Sequence, residues 1–192
     1  FTKRQYQTNL LIRKGPDHLV VDFGTKAGQA AWELGLKATD FRSFVITHLH
    51  ADHIGGLEEV ALGNRYMTRS KPRMYVTPEL QRMLWSSSLR GGCAPNESPP
   101  LRFRDFFEVT RPVPVKGLPR ESYRFSAGGI DVVLVRTSHV PDSARGWRDS
   151  AWSTAVLVDG RVLFTSDTRF DPELLAGFDK RFGPEAIFHD CQ

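Results

Sequence analysis

The 192-residue chain contains only two cysteines, Cys93 and Cys191, and they lie far apart in the sequence. A disulfide framework needs several cysteines, and a paired-cysteine zinc clip needs cysteines at close spacing. The cysteine pattern therefore excludes both, and we expect two unpaired thiols in a reducing, cytoplasmic compartment.

The sequence also lacks long apolar runs. Its longest mostly apolar stretches, such as residues 130–135 and 155–158, have the length of a strand, whereas a membrane-spanning helix needs roughly 18 apolar residues or more. The first five residues are polar and no apolar region follows at once, which is unlike a signal peptide. We expect no association with a membrane.

No internal repeat, low-complexity tract or block of like charges interrupts the chain. Hydrophobic residues make up 40% and charged residues 25% of a length that suits one core, so we expect a single domain over residues 1–192. The formal net charge of +4 suits an anionic or phosphorylated substrate, although many basic proteins bind no polyanion.

Apolar spacing and turn residues predict alternating strands and helices. We expect strands at residues 8–13, 18–22, 41–47, 73–76, 130–136, 153–158, 162–165 and 186–188. Helices are expected at residues 27–36, 57–62 and 170–178, and from Thr77 onward. Residues 86–100, with Gly91-Gly92 and Pro99-Pro100, have the composition of a loop. This order predicts an α/β sandwich of mixed sheets with helices outside.

Four residues with metal-binding side chains, His48, His50, Asp52 and His53, fall within six positions after a predicted strand. An extended backbone points the rings of His48 and His50 to one face, and the turn into the next helix brings His53 to the same place. So many ligands from one loop suit two metal ions. The alternative is a polar loop with solvated histidines, but three of the chain's six histidines lie here.

The run HxHxDH after an apolar strand resembles the signature of the metallo-β-lactamase-fold hydrolases, and three further motifs resemble that family in the same order. These are Val20-Val21-Asp22-Phe23-Gly24, Thr137-Ser138-His139 and Phe164-Thr165-Ser166-Asp167-Thr168. The resemblance covers nearly the whole chain and implies a four-layer αββα sandwich of two mixed β-sheets.

The resemblance also implies a ligand set. His48, His50 and His139 would hold one ion, Asp52 and His53 would bind the second, and Asp167 would lie between them. Two divalent cations are expected, zinc by default, with manganese or iron as alternatives. Asp22 would orient the ligands. The plainer alternatives are an ordinary strand-end histidine at His139, a turn aspartate at Asp167 and a capping residue at Asp22.

Such a centre lowers the pKa of a shared water and neutralises charge in the transition state. Asp52, the candidate catalytic residue, would ligate a metal ion and accept a proton from the nucleophile. Another family histidine completes the second metal site, and phosphodiesterase members use a further histidine as proton donor. Gln192 precedes both positions, and the start of the chain lacks the glycine-rich first strand usual in the family, so we expect that the chain is cut at both ends. His189 is a candidate ligand or, alternatively, a structural support of the site.

Within the family, the chain most resembles the branch of RNase Z and the related cyclic-nucleotide phosphodiesterases. The spacing from His139 to Asp167 is short, the chain ends with a Phe-His-Asp motif, and no long insert resembles the RNase Z substrate arm. The leading hypothesis is therefore hydrolysis of RNA ends or of a cyclic nucleotide. The alternatives are a lactone or thioester hydrolase, and a non-catalytic, partner-dependent module with an incomplete metal site.

Other residues are compatible with a role near the site. Residues 84–92 would form a lid or a homodimer contact, or simply a surface helix end and loop. Arg90, Arg145 and Arg148 would contact phosphate or remain solvated. The aromatic side chains of Trp147, Trp152 and Phe170 are expected in the core or at its rim, and the sequence alone gives no evidence that they stack on bases.

Overall fold

The computed structural model describes residues 6–190. The chain divides into two compact units, Phe1–Arg111 and Pro112–Gln192, and each unit contains one β-sheet. The expectation of one domain over residues 1–192 stays a prediction.

The sheet of the first unit has five strands in the order β1-β2-β3-β4-β5. They are β1 (Leu10–Lys14), β2 (Asp17–Val21), β3 (Ser43–Val45), β4 (Arg73–Tyr75) and β5 (Glu108–Thr110). β1 and β2 form an antiparallel hairpin, whereas the other neighbours are parallel. The sheet is mixed, and its central strands carry fully buried apolar side chains such as Val21, Phe44 and Met74.

Short helices connect these strands, as parallel pairing requires a crossover on each return. They are α1 (Ala27–Glu33), α2 (Ala51–Ile54), α3 (Leu57–Gly63), α4 (Pro78–Leu84), α5 (Arg90–Cys93) and α6 (Phe103–Phe106). Helical turns of 3-10 type lie at Ala38–Asp40 and Ala94–Asn96, and π-helical turns lie at Asn64–Thr68 and Trp85–Leu89.

The sheet of the second unit has six strands in the order β11-β10-β9-β8-β7-β6. They are β6 (Val113–Pro114), β7 (Ser122–Ala127), β8 (Ile130–Arg136), β9 (Thr154–Val158), β10 (Val162–Phe164) and β11 (Ala186–Phe188). Only the pair β10 and β11 is parallel, because helix α7 (Pro172–Phe182) crosses between them. Leu174 and Phe178 of α7 pack on Val135, Leu157 and Leu163 of the sheet.

The predicted α/β class with two mixed sheets is confirmed. The loop predicted at residues 86–100 is wrong in most of its length, because residues 85–96 continue as helical turns. Gly92 lies in a helical segment because its missing side chain lets that segment approach Glu58 closely. An added Cβ at Gly92 would lie 2.2 Å from a carboxylate oxygen of Glu58. The loop begins only after Asn96 and includes a cis peptide bond before Pro99.

Two predicted helices differ at their ends. α1 ends at Glu33 and is followed by Gly35 at φ 73°, a left-handed conformation that stops a helix. α7 begins at Pro172 and continues past residue 178 to Phe182, where Gly183 ends it at φ 54°. β5, β6 and α6 were not predicted. β5 and β6 are edge strands of three and two residues, defined by their pairing with β4 and β7.

No helix among residues 6–190 is long and apolar enough to cross a membrane. Cys93 is buried and unpaired, whereas Cys191 lies outside the described residues.

Candidate metal centre

The first group of predicted ligands lies where β3 leads into α2. His48 and His50 follow the strand, and their ring centroids are 4.7 Å apart. His53, inside α2, places its ring centroid 4.0 Å from that of His48. Asp52 is half exposed, and its Oδ2 lies 3.7 Å from Nε2 of His53. The first unit therefore brings these four side chains together.

Asp22 directly follows β2 and is completely buried. Its Oδ1 accepts a hydrogen bond from the Thr47 backbone N–H (2.8 Å), and its Oδ2 accepts from the Thr47 hydroxyl (2.7 Å). Oδ2 also contacts Nδ1 of His53 at 2.7 Å. Because the carboxylate engages Nδ1, Nε2 is the ring atom suited to bind a metal ion, as the ligand-orienting role expected of Asp22 requires.

Thr47 determines in the same way which ring nitrogen of His48 carries the proton. The Thr47 hydroxyl has one hydrogen and donates it to Asp22. Its contact with Nδ1 of His48, at 3.1 Å, therefore has the imidazole as donor. Nε2 of His48 is then unprotonated and suited to bind a metal ion. Sequence reasoning missed Thr47, whose only signal is its position immediately before the histidine run.

Burial raises the pKa of the Asp22 carboxyl, and the hydrogen bonds from His53 and Thr47 act in the opposite direction. A buried carboxylate requires donors or a nearby positive charge to stay ionised. A cation bound by His53 would provide part of that compensating charge.

The histidine loop packs closely against the residues that follow β2. The Phe23 backbone N–H donates to the His53 carbonyl (2.7 Å), and the Gly56 N–H donates to the Phe23 carbonyl (2.9 Å). At Gly24 an added Cβ would lie 1.7 Å from the Asp52 carbonyl oxygen. Only glycine permits this contact, so Gly24 sets the position of the loop that carries the ligands.

The second unit holds the other two predicted ligands. His139 follows β8 and is buried, and Asp167 follows β10 and is half-buried. A ligand atom of His139 lies within 4.8 Å of a carboxylate oxygen of Asp167. The Ser138 carbonyl accepts from the Thr168 hydroxyl and from the Arg169 backbone N–H, both at 2.8 Å. These bonds join the two ligand-bearing segments.

His189 lies in the same unit beside Thr165. Its Nδ1 is 3.1 Å from the Thr165 hydroxyl oxygen, which also accepts from the Asp190 N–H. Among the described residues, the groups that bring Asp167 together with histidines do not include His189. Thr165 is two positions before Asp167, so this contact suits the supporting role for His189 rather than the ligand role.

The remaining candidates are dispersed. Arg90 is exposed in α5, whereas Arg145 and Arg148 line a pocket of the second unit. Trp152 is buried, Trp147 is half-buried, and Phe170 is exposed at the rim of that pocket.

Each unit thus supplies imidazole nitrogen and carboxylate oxygen atoms at close distance. This donor set suits zinc, manganese or iron. The chemistry of the residues therefore fits divalent metal binding.

A family model described as the Anti-Pycsar protein Apyc1 matches residues 1–192. The chain belongs to this family. An Apyc1 protein of Paenibacillus harenae is 32% identical over 192 residues, covering 100% of this chain and 73% of that relative. An Apyc1 protein of Bacillus phage 010DV004 is 32% identical over 203 residues, with the same two coverages.

Solved structures similar to this Apyc1-family chain share its fold. The metallo-β-lactamase fold protein YhfI of Bacillus subtilis has a TM-score of 0.63 at 14% identity, over 92% of this chain and 61% of that protein. Human tRNase Z, short form, has a TM-score of 0.58 at 16% identity, over 97% and 86%. A diphosphatase of the PhnP family has a TM-score of 0.56 at 13% identity, over 96% and 72%. The predicted metallo-β-lactamase fold is confirmed.

Proposed function

We propose that this chain is a metal-dependent phosphodiesterase that hydrolyses a cyclic nucleotide. The observation that carries the proposal is the buried arrangement in which Asp22 and Thr47 orient the rings of His48 and His53. Surface histidines need no such control of the tautomer, whereas metal ligands do. The metallo-β-lactamase fold and membership of the Apyc1 family support a metal-dependent hydrolase.

We further propose that the two ligand groups serve one dinuclear centre, as the order of the motifs implies. His48, His50 and His139 would hold the first ion, and Asp52 and His53 the second, with Asp167 shared. Two divalent ions, zinc by default, would supply a hydroxide nucleophile at neutral pH. Asp52 is half exposed, so a proton that it accepts can pass to solvent.

A small cyclic nucleotide is favoured over RNA by two features. No long insert resembling the RNase Z substrate arm is present in the sequence. A pocket whose lining includes Ser138, the neighbour of His139, has a volume of about 640 Å³, within the range typical of small-ligand sites. The two alternative functions, lactone or thioester hydrolysis and a non-catalytic role, stay untested predictions. The homodimer is also an untested prediction.

The test measures metal content and turnover of the full chain. We expect about two divalent ions per chain and hydrolysis of a 3′,5′-cyclic nucleotide, with little cleavage of RNA or of a lactone. His139→Ala and Asp167→Asn should each lower turnover by at least about a hundredfold, because each removes a proposed ligand.

His18→Gln is the matched control, since His18 contacts the Arg42 backbone and none of the proposed ligands. Absence of bound metal in the natural protein, or full activity of His139→Ala, would contradict the proposal.

A further inference from the structure

The second unit contains a pocket of about 640 Å³ that no proposed metal ligand lines. We call it the arginine pocket, after the four arginines that line it together with two aromatic side chains. These residues are Arg120, Arg145, Trp147, Arg148, Arg169 and Phe170.

Two of the four arginines have structural partners. Arg120 forms a bidentate ion pair with Asp171, with N–O distances of 2.6 and 2.8 Å. Arg169 donates to the carbonyls of Asp142 and Ala144, at 2.8 and 2.7 Å, and so fixes the loop at one side of the pocket. These bonds hold the two side chains in place, so that Arg120 and Arg169 form fixed parts of the pocket wall.

Arg145 and Arg148 are different. Both are exposed on this loop, and neither forms an ion pair with a carboxylate among the described residues. The guanidinium of Arg148 lies 4.3 Å from the centre of the Trp147 ring. This stacking covers one face of the flat cation, and because Arg148 is exposed the other face can take a stacked ring.

Phe170 provides a second flat surface. Its side chain is 72% exposed, and it lies at the pocket rim three positions after Asp167. Exposed aromatic rings and guanidinium planes are the groups on which proteins stack nucleic-acid bases.

The pocket also adjoins the two proposed metal ligands of the second unit. Its wall includes Ser138, the neighbour of His139, and Arg169, which follows Asp167 by two residues. The hydrogen bond from the Arg169 N–H to the Ser138 carbonyl joins these two segments. A ligand in the pocket is therefore held next to both ligand-bearing strand ends of the unit.

We propose that the arginine pocket binds the nucleobase of the substrate, stacked against Phe170 and the guanidinium of Arg148, with Arg145 hydrogen-bonding at the rim. This inference rests on the proposed cyclic-nucleotide hydrolysis. It assigns Arg145, Arg148 and Phe170 to binding of the base and to no step of the reaction. Stacking accepts any base, so purine and pyrimidine nucleotides should both bind.

The test compares two substrates of the metal-loaded full chain: 3′,5′-cyclic AMP, and ribose 3′,5′-cyclic phosphate, which has no base. We expect Arg148→Ala and Phe170→Ala each to raise KM for cyclic AMP about tenfold, with kcat nearly unchanged. Neither variant should change the kinetics with the base-free probe. Equal shifts for both substrates, or no shift, would overturn the proposal.

The controls are Arg124→Ala and Trp32→Ala. Arg124 is an exposed arginine in β7 of the same unit, and Trp32 is, like Phe170, 72% exposed but lies in α1. Both should leave KM unchanged.

Equilibrium dialysis of cyclic AMP against the chelator-treated protein provides a second measurement that is independent of turnover. The natural chain should bind cyclic AMP and Arg148→Ala should bind it about tenfold more weakly. If the natural chain hydrolyses neither substrate, the phosphodiesterase proposal fails, while dialysis still decides the pocket. No binding by the natural chain, or equal binding by the variant, would overturn the base-binding role.

Discussion

At the scale of single residues, Asp22 is the most informative side chain of the first unit. It is buried, it adopts a left-handed backbone conformation (φ 64°), and it engages Thr47 and His53. Aspartate tolerates this conformation better than most residues, but it still costs free energy. A strained, buried carboxylate of this kind is typical of a functional site.

Asp22→Asn should weaken metal binding about 10- to 100-fold, because an amide replaces one acceptor oxygen with a donor and no longer orients both His48 and His53. Competition with a chromophoric chelator measures the affinity. Asp149→Asn is the control, since Asp149 is exposed and its side chain has no hydrogen bond or ion pair in the described chain. Equal affinities for the two variants would show that Asp22 does not organise the ligands.

At the scale of elements, the position of the histidine loop depends on one glycine. Gly24 lies under the start of α2, where the Asp52 carbonyl occupies the space that a side chain would need. With a larger residue at position 24, the histidine loop could keep its position only if Asp52 moved.

Gly24→Ala should destabilise the protein by about 2 kcal/mol or more, since the added Cβ forces the backbone apart, and should also lower metal affinity. Chemical denaturation and metal titration measure the two effects. Gly91→Ala is the matched control, because a Cβ there has no neighbour within 4 Å and alanine favours a helix. A Gly24→Ala protein as stable as Gly91→Ala would refute this account of the loop.

At the scale of the whole molecule, stability should depend on the protonation of His18. Its Nε2 accepts a hydrogen bond from the Arg42 backbone N–H at 2.7 Å, which requires the neutral ring. Burial lowers the pKa of His18, and the charges of Arg13 and Arg42 lower it further, with Asp17 opposing them. The folded chain therefore binds this proton less readily than the unfolded chain does.

The contribution of His18 to stability is complete above the unfolded pKa of about 6.5 and is lost as the pH falls toward the lower folded value. The natural protein should lose more of its unfolding free energy between about pH 7 and pH 5 than His18→Gln, whose amide oxygen still accepts the bond. Urea denaturation at both pH values measures the difference. Identical losses in the two proteins would contradict the lowered pKa.

The sequence was sufficient to predict the parts of the site whose residues lie close together in the chain. His48, His50, Asp52 and His53 lie in one short run, so their spacing alone predicts that they come together. Thr47 and Asp22 are 25 positions apart, and nothing in the spacing predicts the bonds between them.

The same limit explains the errors. Residues 86–96 have loop composition, but the contact between Gly92 and Glu58 shows why glycine is present in a helical segment. The arginine pocket was not predicted because its lining comes from residues 119–173, brought together only by the fold of the second unit.

Arg169 has a further consequence for how such a protein can change. Its two bonds to the carbonyls of Asp142 and Ala144 attach a short surface loop to the strand end that bears Asp167. Substitutions within that loop would change the shape of the arginine pocket while leaving the proposed metal ligands in place. The ligand specificity of the pocket could therefore evolve through a few exposed positions, without any change in the proposed metal ligands.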